Sequence, residues 1–437
     1  MKTASLKILQ NNLGRRSKIF VWSLFDFANT SYSIVVVTFL YAVYFKETVS
    51  LGQPIGDLYW SIGISVAMII TAILSPILGA IADHSAGKKR FLLFFTLLCV
   101  VSTSLLFFVG EGMIFWGVML FILSNIGFEA GLVFYDAFLP ELTSAKNYGR
   151  VSGYGYAMGY VGSLVTLAIA LPFIQLDLIK ETFPLAAVFF MFFSLPLFIF
   201  LKDNRKNIEH EQTYLRIGFN RVYNTIKNLK DYKNLAMFLL AFFFYIEGVN
   251  TVIFFSGNYA QTTLGFSFEE LALFFLIVQT TAIIGSTGFG VLSDSIGQKT
   301  TITISLVIWI FTMLVAYLTS EENNFLMNFL MNASGGEFKV IQTSSFYVVG
   351  LLAGSVMGAT QSVSRSLMSK LTPANKKTEF FGFYSFFGKS SAILGPLVFG
   401  FVSFVTESQR LAILSISIFF IIGLVLLKWV DDKAVEE

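Results

Sequence analysis

VWSLFDFANTSYSIVVVTFLYAVYF, residues 21–45, is an apolar run long enough to cross a bilayer, yet it carries Asp26 and Asn29 in its first third. About 20 mostly apolar residues suffice for a spanning helix, and a carboxylate inside one is costly enough to need a reason. FYIEGVNTVIFF at 244–255 repeats the arrangement, with Glu247, Asn250 and Thr251 standing where the first copy has Asp26, Asn29 and Thr30. Two acids at matching spacing point to a duplicated design.

Composition places the whole chain in the same class. Of 437 residues, 55% are hydrophobic and only 13% charged, and mean hydropathy is +0.72, far from a soluble domain. The net charge of +3 comes mainly from loops and bears on membrane orientation; no nucleic-acid-binding surface is indicated. Cys99 is alone, which excludes an internal disulfide, and His84 and His210 form no ligand cluster. Neither a metal site nor a cofactor is expected. The basic N-terminus MKTASLKILQNNLGRRSK is read as a retained cytoplasmic segment, since no small-residue cleavage site follows the first apolar run.

Twelve spans are expected, near 19–45, 57–82, 91–110, 113–139, 151–175, 183–201, 234–261, 269–293, 300–319, 343–371, 380–405 and 410–430. With the N-terminus inside, 24 basic residues fall in inside segments and 4 outside, so both termini are expected in the cytoplasm. The polar segment 202–233 divides the spans six and six, giving an N-terminal bundle over 1–201, a partly helical cytoplasmic linker over 202–233 and a C-terminal bundle over 234–437.

The halves read as parallel repeats. Beyond the acid pair, GAIADHSAGKKR at 79–90 matches GVLSDSIGQKT at 290–300, and GRVSGYGYAMGYVG at 149–162 matches TEFFGFYSFFGKSS at 378–391, aligning Gly153 with Gly382 and Gly159 with Gly388. In the turn pair, glycine permits a tight reversal, the Asp can bind neighbouring helix N-termini and the Lys residues suit lipid phosphates.

Those turns resemble the G-x-x-x-D-x-x-G-[RK] signature of the major facilitator superfamily. Gly290, Asp294, Gly297 and Lys299 keep nearly the whole pattern, whereas Gly79, Asp83 and Gly87 carry one extra residue between Asp and Gly. Within that superfamily, the stretches at 22–39, 139–162 and 364–396 are similar to the branch of autophagy-related vacuolar amino-acid effluxers and their bacterial relatives. The resemblance covers all twelve spans. It implies an all-α integral membrane protein with two pseudo-symmetric six-helix bundles, and a secondary transporter, with amino-acid export the activity attached to the eukaryotic members.

Six ionisable residues fall inside spans: Asp26, Glu129, Asp136, Glu247, Arg365 and Lys389. Five lie on spans 1, 4, 7 and 10, which in the superfamily line the central cavity. Arg365 and Asp136 each precede their aligned glycine by seventeen residues, so they face each other across the pseudo-two-fold, as an ion pair that closes an inner gate. Asp26, Asn29, Glu129, Glu247 and Asn250 are assigned to a substrate and proton cavity, with Asp26 or Glu247 exchanging protons. Buried ion pairs that merely fix packing are the plainer alternative. Lys389 is left unassigned because its span is expected behind the cavity.

Two near-matches fail. GFYSFFGKS at 382–390 has five residues between glycines where a phosphate loop needs four, and GYGYAMG at 153–159 misses the dinucleotide spacing; Gly155 and Gly159 read as helix packing. The loop at 321–342 has no assigned role. The chain therefore reads as a non-enzymatic, monomeric alternating-access transporter in a bacterial inner membrane, exporting amino acids or similar small polar solutes, with protons as a candidate coupling ion. A sugar, peptide fragment or cationic drug is the alternative cargo, and a non-transporting sensor the alternative class.

Overall fold

The computed structural model describes residues 14–53, 55–203, 214–321, 324–391 and 394–433. Residues 1–13 of the basic N-terminus and 204–213 of the linker, which include His210, lie outside them. Among the described residues, twelve helices are long and apolar enough to cross a membrane: span 1 Arg15–Val49, span 2 Ile55–His84, span 3 Lys88–Phe108, span 4 Ile114–Leu142, span 5 Ala145–Gln175, span 6 Thr182–Phe200, span 7 Lys230–Thr262, span 8 Glu269–Ile296, span 9 Gln298–Leu318, span 10 Phe338–Leu371, span 11 Lys377–Thr406 and span 12 Gln409–Leu427. No strand occurs among the described residues. This is an all-helical membrane fold of two pseudo-symmetric six-helix bundles.

The duplication is visible atom by atom on the face that carries the turns after the even-numbered spans. Asp83, at the end of span 2, accepts hydrogen bonds from the backbone N–H groups of Thr378 and Glu379 at 3.0 and 2.8 Å. Asp294, at the end of span 8, accepts from Gly149 and Arg150 at 2.9 and 3.2 Å, and from the Arg150 side chain at 2.7 Å. Each acid thus caps the start of a helix in the other bundle, satisfying N–H groups that the first helical turn leaves open.

The extra residue between Asp83 and Gly87 is absorbed by a π-helical turn over Ala82–Ala86. One added residue per turn is what an i→i+5 helix accommodates. Gly87 and Gly297 then occupy the same left-handed conformation, at φ 74° and 92°, where a side chain would be strained. The next turn is also duplicated: Lys89 N–H donates to Asp203 at 3.1 Å, and Lys299 N–H to Asp432 at 3.1 Å.

Close helix approaches join the bundles. A Cβ on Gly153 of span 5 would collide with the Ser286 carbonyl of span 8, and one on Gly382 of span 11 with the Ser75 carbonyl of span 2. Glycine at these aligned positions lets span 5 lie against span 8 and span 11 against span 2 at backbone distance.

Among the described residues, two shorter helices lie outside the spans. A linker helix, Tyr214–Lys227, falls in the expected linker and packs on span 2. A loop helix, Phe325–Ser334, occupies the segment after span 9; Asn324 accepts from Met327 N–H at 3.0 Å to start it, and Gly335 ends it in a left-handed turn. Span 1 is not one continuous α-helix: π-helical turns at Ser33–Thr38 and Phe45–Val49 flank a break at Phe39.

Candidate functional site

Arg365, two turns from the end of span 10, is only 1% exposed, and among the described residues the hydrogen-bond, ion-pair and ring partners of its guanidinium belong to the other bundle. It donates to Asp136 of span 4 at 2.9 Å and to Asp26 of span 1 at 3.2 Å. Its Nε and a terminal nitrogen bond the hydroxyl and carbonyl of Ser152 in span 5, both at 2.9 Å. The rings of Tyr156, Trp22 and Tyr135 surround the cation at 4.3, 4.8 and 5.7 Å. A planar fork with five donors suits such a nest of carboxylates and π-faces.

The acids are themselves held in place. The Tyr135 hydroxyl donates to Asp26 at 2.7 Å, and the Trp22 indole N–H donates to the Tyr135 carbonyl at 3.2 Å, with the two rings stacked at 4.8 Å. Gly155 of span 5 leaves room beside the Asp26–Arg365 contact. The sequence assigns Asp26 to a substrate and proton cavity apart from the Asp136–Arg365 pair; the structure joins it to that pair. Helical rise fixes its depth, but the rotation that turns it toward span 10 is a tertiary property.

A second charged contact crosses the bundles. The Lys389 ammonium of span 11 lies against the Glu129 carboxylate of span 4, in electrostatic contact although Glu129 Oε2 makes no aligned hydrogen bond. Span 11 therefore faces the seam rather than lying behind it, which corrects the expectation for Lys389. One turn before Glu129, the buried amide of Asn125 has no hydrogen-bond partner for either its oxygen or its nitrogen among the described residues.

Glu247 stands apart from both clusters. It is fully buried, its Oε1 accepts from the Gly395 backbone N–H of span 11 and from Thr251 at 3.3 Å, and Oε2 has no hydrogen-bond partner among the described residues. No cation pairs with it among the described residues, unlike its repeat-equivalent Asp26. Asn29 is buried and Asn250 half-buried, one turn from Asp26 and Glu247 respectively. Asp83, Asp294 and their glycines form the helix caps already described, not part of these clusters.

Sequence reasoning missed Trp22, Tyr135, Ser152 and Tyr156. A weak signal existed, since Trp22 precedes Asp26 by one turn and Tyr135 adjoins Asp136, but 16% of the chain is aromatic. It also missed Glu379, fully buried, which meets the Thr225 hydroxyl and the Arg221 side chain, the latter at 3.4 Å, both from the linker helix.

A family model described as "Vacuole effluxer Atg22 like" matches residues 59–436. The chain is 32% identical over 429 residues to the uncharacterized MFS-type transporter YxiO of Bacillus subtilis (strain 168), covering 94% of each chain. It is 22% identical to autophagy-related protein 22-1 of Penicillium rubens, over 84% of this chain and 74% of that one. Among solved structures it is similar to the human organic anion transporter MFSD10, with TM-score 0.70, 13% identity and coverage of 95% and 100%. The proton:xylose symporter XylE matches equally, with TM-score 0.70, 13% identity and coverage of 97% and 98%.

Proposed function

We propose, for a chain that belongs to the vacuole effluxer Atg22-like family and is a major facilitator transporter, an alternating-access cycle that exports amino acids. The observation that carries the proposal is Arg365, a cation of one bundle enclosed by Asp26, Asp136, Ser152 and three aromatic rings of the other. A contact of that kind holds one face shut while it lasts. It opens only when the bundles rock apart and Arg365 leaves its nest.

The basic-residue asymmetry assigns this closed face to the cytoplasm, of a bacterial inner membrane in our reading. The seam above it offers an acid and a base from opposite bundles, Glu129 and Lys389. A zwitterion suits that pair, because its ammonium replaces Lys389 at Glu129 and its carboxylate replaces Glu129 at Lys389. Each bundle then holds one end of the cargo. Asn125, Asn29 and Asn250 supply neutral hydrogen-bonding groups, and Glu247, unpaired with a cation among the described residues, is the proton-exchange group. The description of the matching family, "Vacuole effluxer Atg22 like", supports the effluxer reading; the protein is expected to work as a monomer.

Flux in proteoliposomes, measured for a panel of amino acids with and without an imposed pH gradient, tests this. Amino-acid flux in the wild type and its loss in Arg365→Ala support the reading. Flux of a sugar, peptide or cationic drug in place of every amino acid selects the alternative cargo, and binding without any flux selects a sensor.

A further inference from the structure

The linker helix Tyr214–Lys227 has three different faces. The first is packed: Gly218 lies on Ile77 and Ile81 of span 2, and Arg221 and Thr225 reach Glu379 at the start of span 11. The second is apolar and open, with Phe219, Tyr223 and Ile226 all more than half exposed. The third carries Arg216, Asn220 and Lys227, also exposed, and the helix contains three basic residues and no acidic one.

Its position says what meets the open apolar face. Ile69 and Ile73 of span 2 are more than half exposed, as residues of a spanning helix turned to lipid must be, and Ile77 and Ile81 continue that same row one and two turns later. The linker helix covers the end of the row. It therefore lies at the lipid-facing periphery of the bundle. From Ile77 to His84, the end of span 2, the helical rise is about 10 Å, so the linker helix sits at the depth of the boundary between headgroups and acyl chains. A helix with an apolar face and a Lys/Arg-bearing polar face is stable there, about 5–10 Å into the interface, and anionic headgroups attract its cations.

We propose that the linker helix is an interfacial membrane-docking element, inserting Phe219, Tyr223 and Ile226 among the acyl chains of the adjacent leaflet while Arg216 and Lys227 engage anionic lipid phosphates. The lipid surface is then continuous from span 2 onto the linker helix.

The test uses the full-length protein on a Cys99→Ala background, with an environment-sensitive fluorophore on Ile226→Cys or, separately, Asn220→Cys. Both variants are reconstituted in nanodiscs of phosphatidylcholine alone or mixed with phosphatidylglycerol. Brominated acyl chains should quench the label at 226 about threefold more than the label at 220, and aqueous iodide should show the reverse order. Phosphatidylglycerol should widen the difference, and Arg216→Gln with Lys227→Gln should remove that widening. Equal responses at the two positions overturn the proposal, as does protection of 226 from both quenchers in discs holding two copies, which assigns the face to a second chain. No effect of phosphatidylglycerol overturns the headgroup contact.

Discussion

Arg365 donates to Asp136 across the two bundles at 2.9 Å, and the same guanidinium nitrogen reaches Asp26 at 3.2 Å. One cation therefore holds two acids from different helices, and removing the cation is not equivalent to removing one acid. Arg365→Ala strands both carboxylates in a buried site, and breaking a buried pair in this way costs about 3–5 kcal/mol. Asp136→Asn leaves Arg365 with Asp26 and loses about 1.5–3 kcal/mol, the range of a hydrogen bond to a charged group. Thermal unfolding in detergent should rank them in that order, and the swap of Asp136→Arg with Arg365→Asp should recover part of the transport lost in each single change. No recovery in the swap removes the gate assignment.

Asp83 and Asp294 cap helices in opposite bundles by the same geometry, but among the described residues Asp294 alone of the two also binds a guanidinium, that of Arg150. Loss of a helix cap typically costs about 0.5–2 kcal/mol. Asp83→Ala and Asp294→Ala should each favour the state in which this face is open, with the larger effect at Asp294. Labelling rates of cysteines placed in the seam near Ser152 read the shift; absent effects count against the capping role, and equal effects against the Arg150 contribution.

At Gly153 and Gly382 an added methyl meets backbone carbonyls of Ser286 and Ser75, which cannot move aside as a side-chain tip would. Gly153→Ala and Gly382→Ala should separate spans 5 and 8, or 2 and 11, and weaken closure by about 1–3 kcal/mol, as overpacking does. The two variants should behave alike in the cysteine-labelling experiment. A neutral Gly382→Ala together with a damaging Gly153→Ala contradicts the symmetry.

Glu247 and Asp26 are equivalent in the repeats but not in their surroundings, since among the described residues only Asp26 of the two has a cation. Glu247→Gln keeps the acceptor that meets Gly395 and should abolish drive by a pH gradient while sparing exchange at equal pH. Asp26→Asn should depress both, because it belongs to the Arg365 cluster. Unchanged proton dependence in Glu247→Gln contradicts its role as the proton-exchange group.

The spans, the duplication and the facing positions of Asp136 and Arg365 were legible in the sequence because each depends on local hydropathy or on spacing within a repeat. The π-turn that absorbs the extra residue before Gly87 was visible as an irregularity, but its solution required the backbone. Lys389 could not be placed because hydropathy does not encode which spans meet at the seam. Asp26 was assigned to its span correctly and to its partner incompletely, since an acid's depth follows from helical rise and its neighbours follow from packing. The aromatic wall around Arg365 was hidden among 50 phenylalanines and 17 tyrosines.

The most direct measurement is the distance across the closed face. Spin labels at exposed Lys146 and Ala374, at the start of span 5 and in the turn before span 11, report it by double electron–electron resonance on a Cys99→Ala background in nanodiscs. Alternating access gated by Arg365 requires a short distance in the wild type, a second, longer population on adding a transported amino acid, and a dominant long population in Arg365→Ala. A single distance that neither substrate nor Arg365→Ala changes contradicts it.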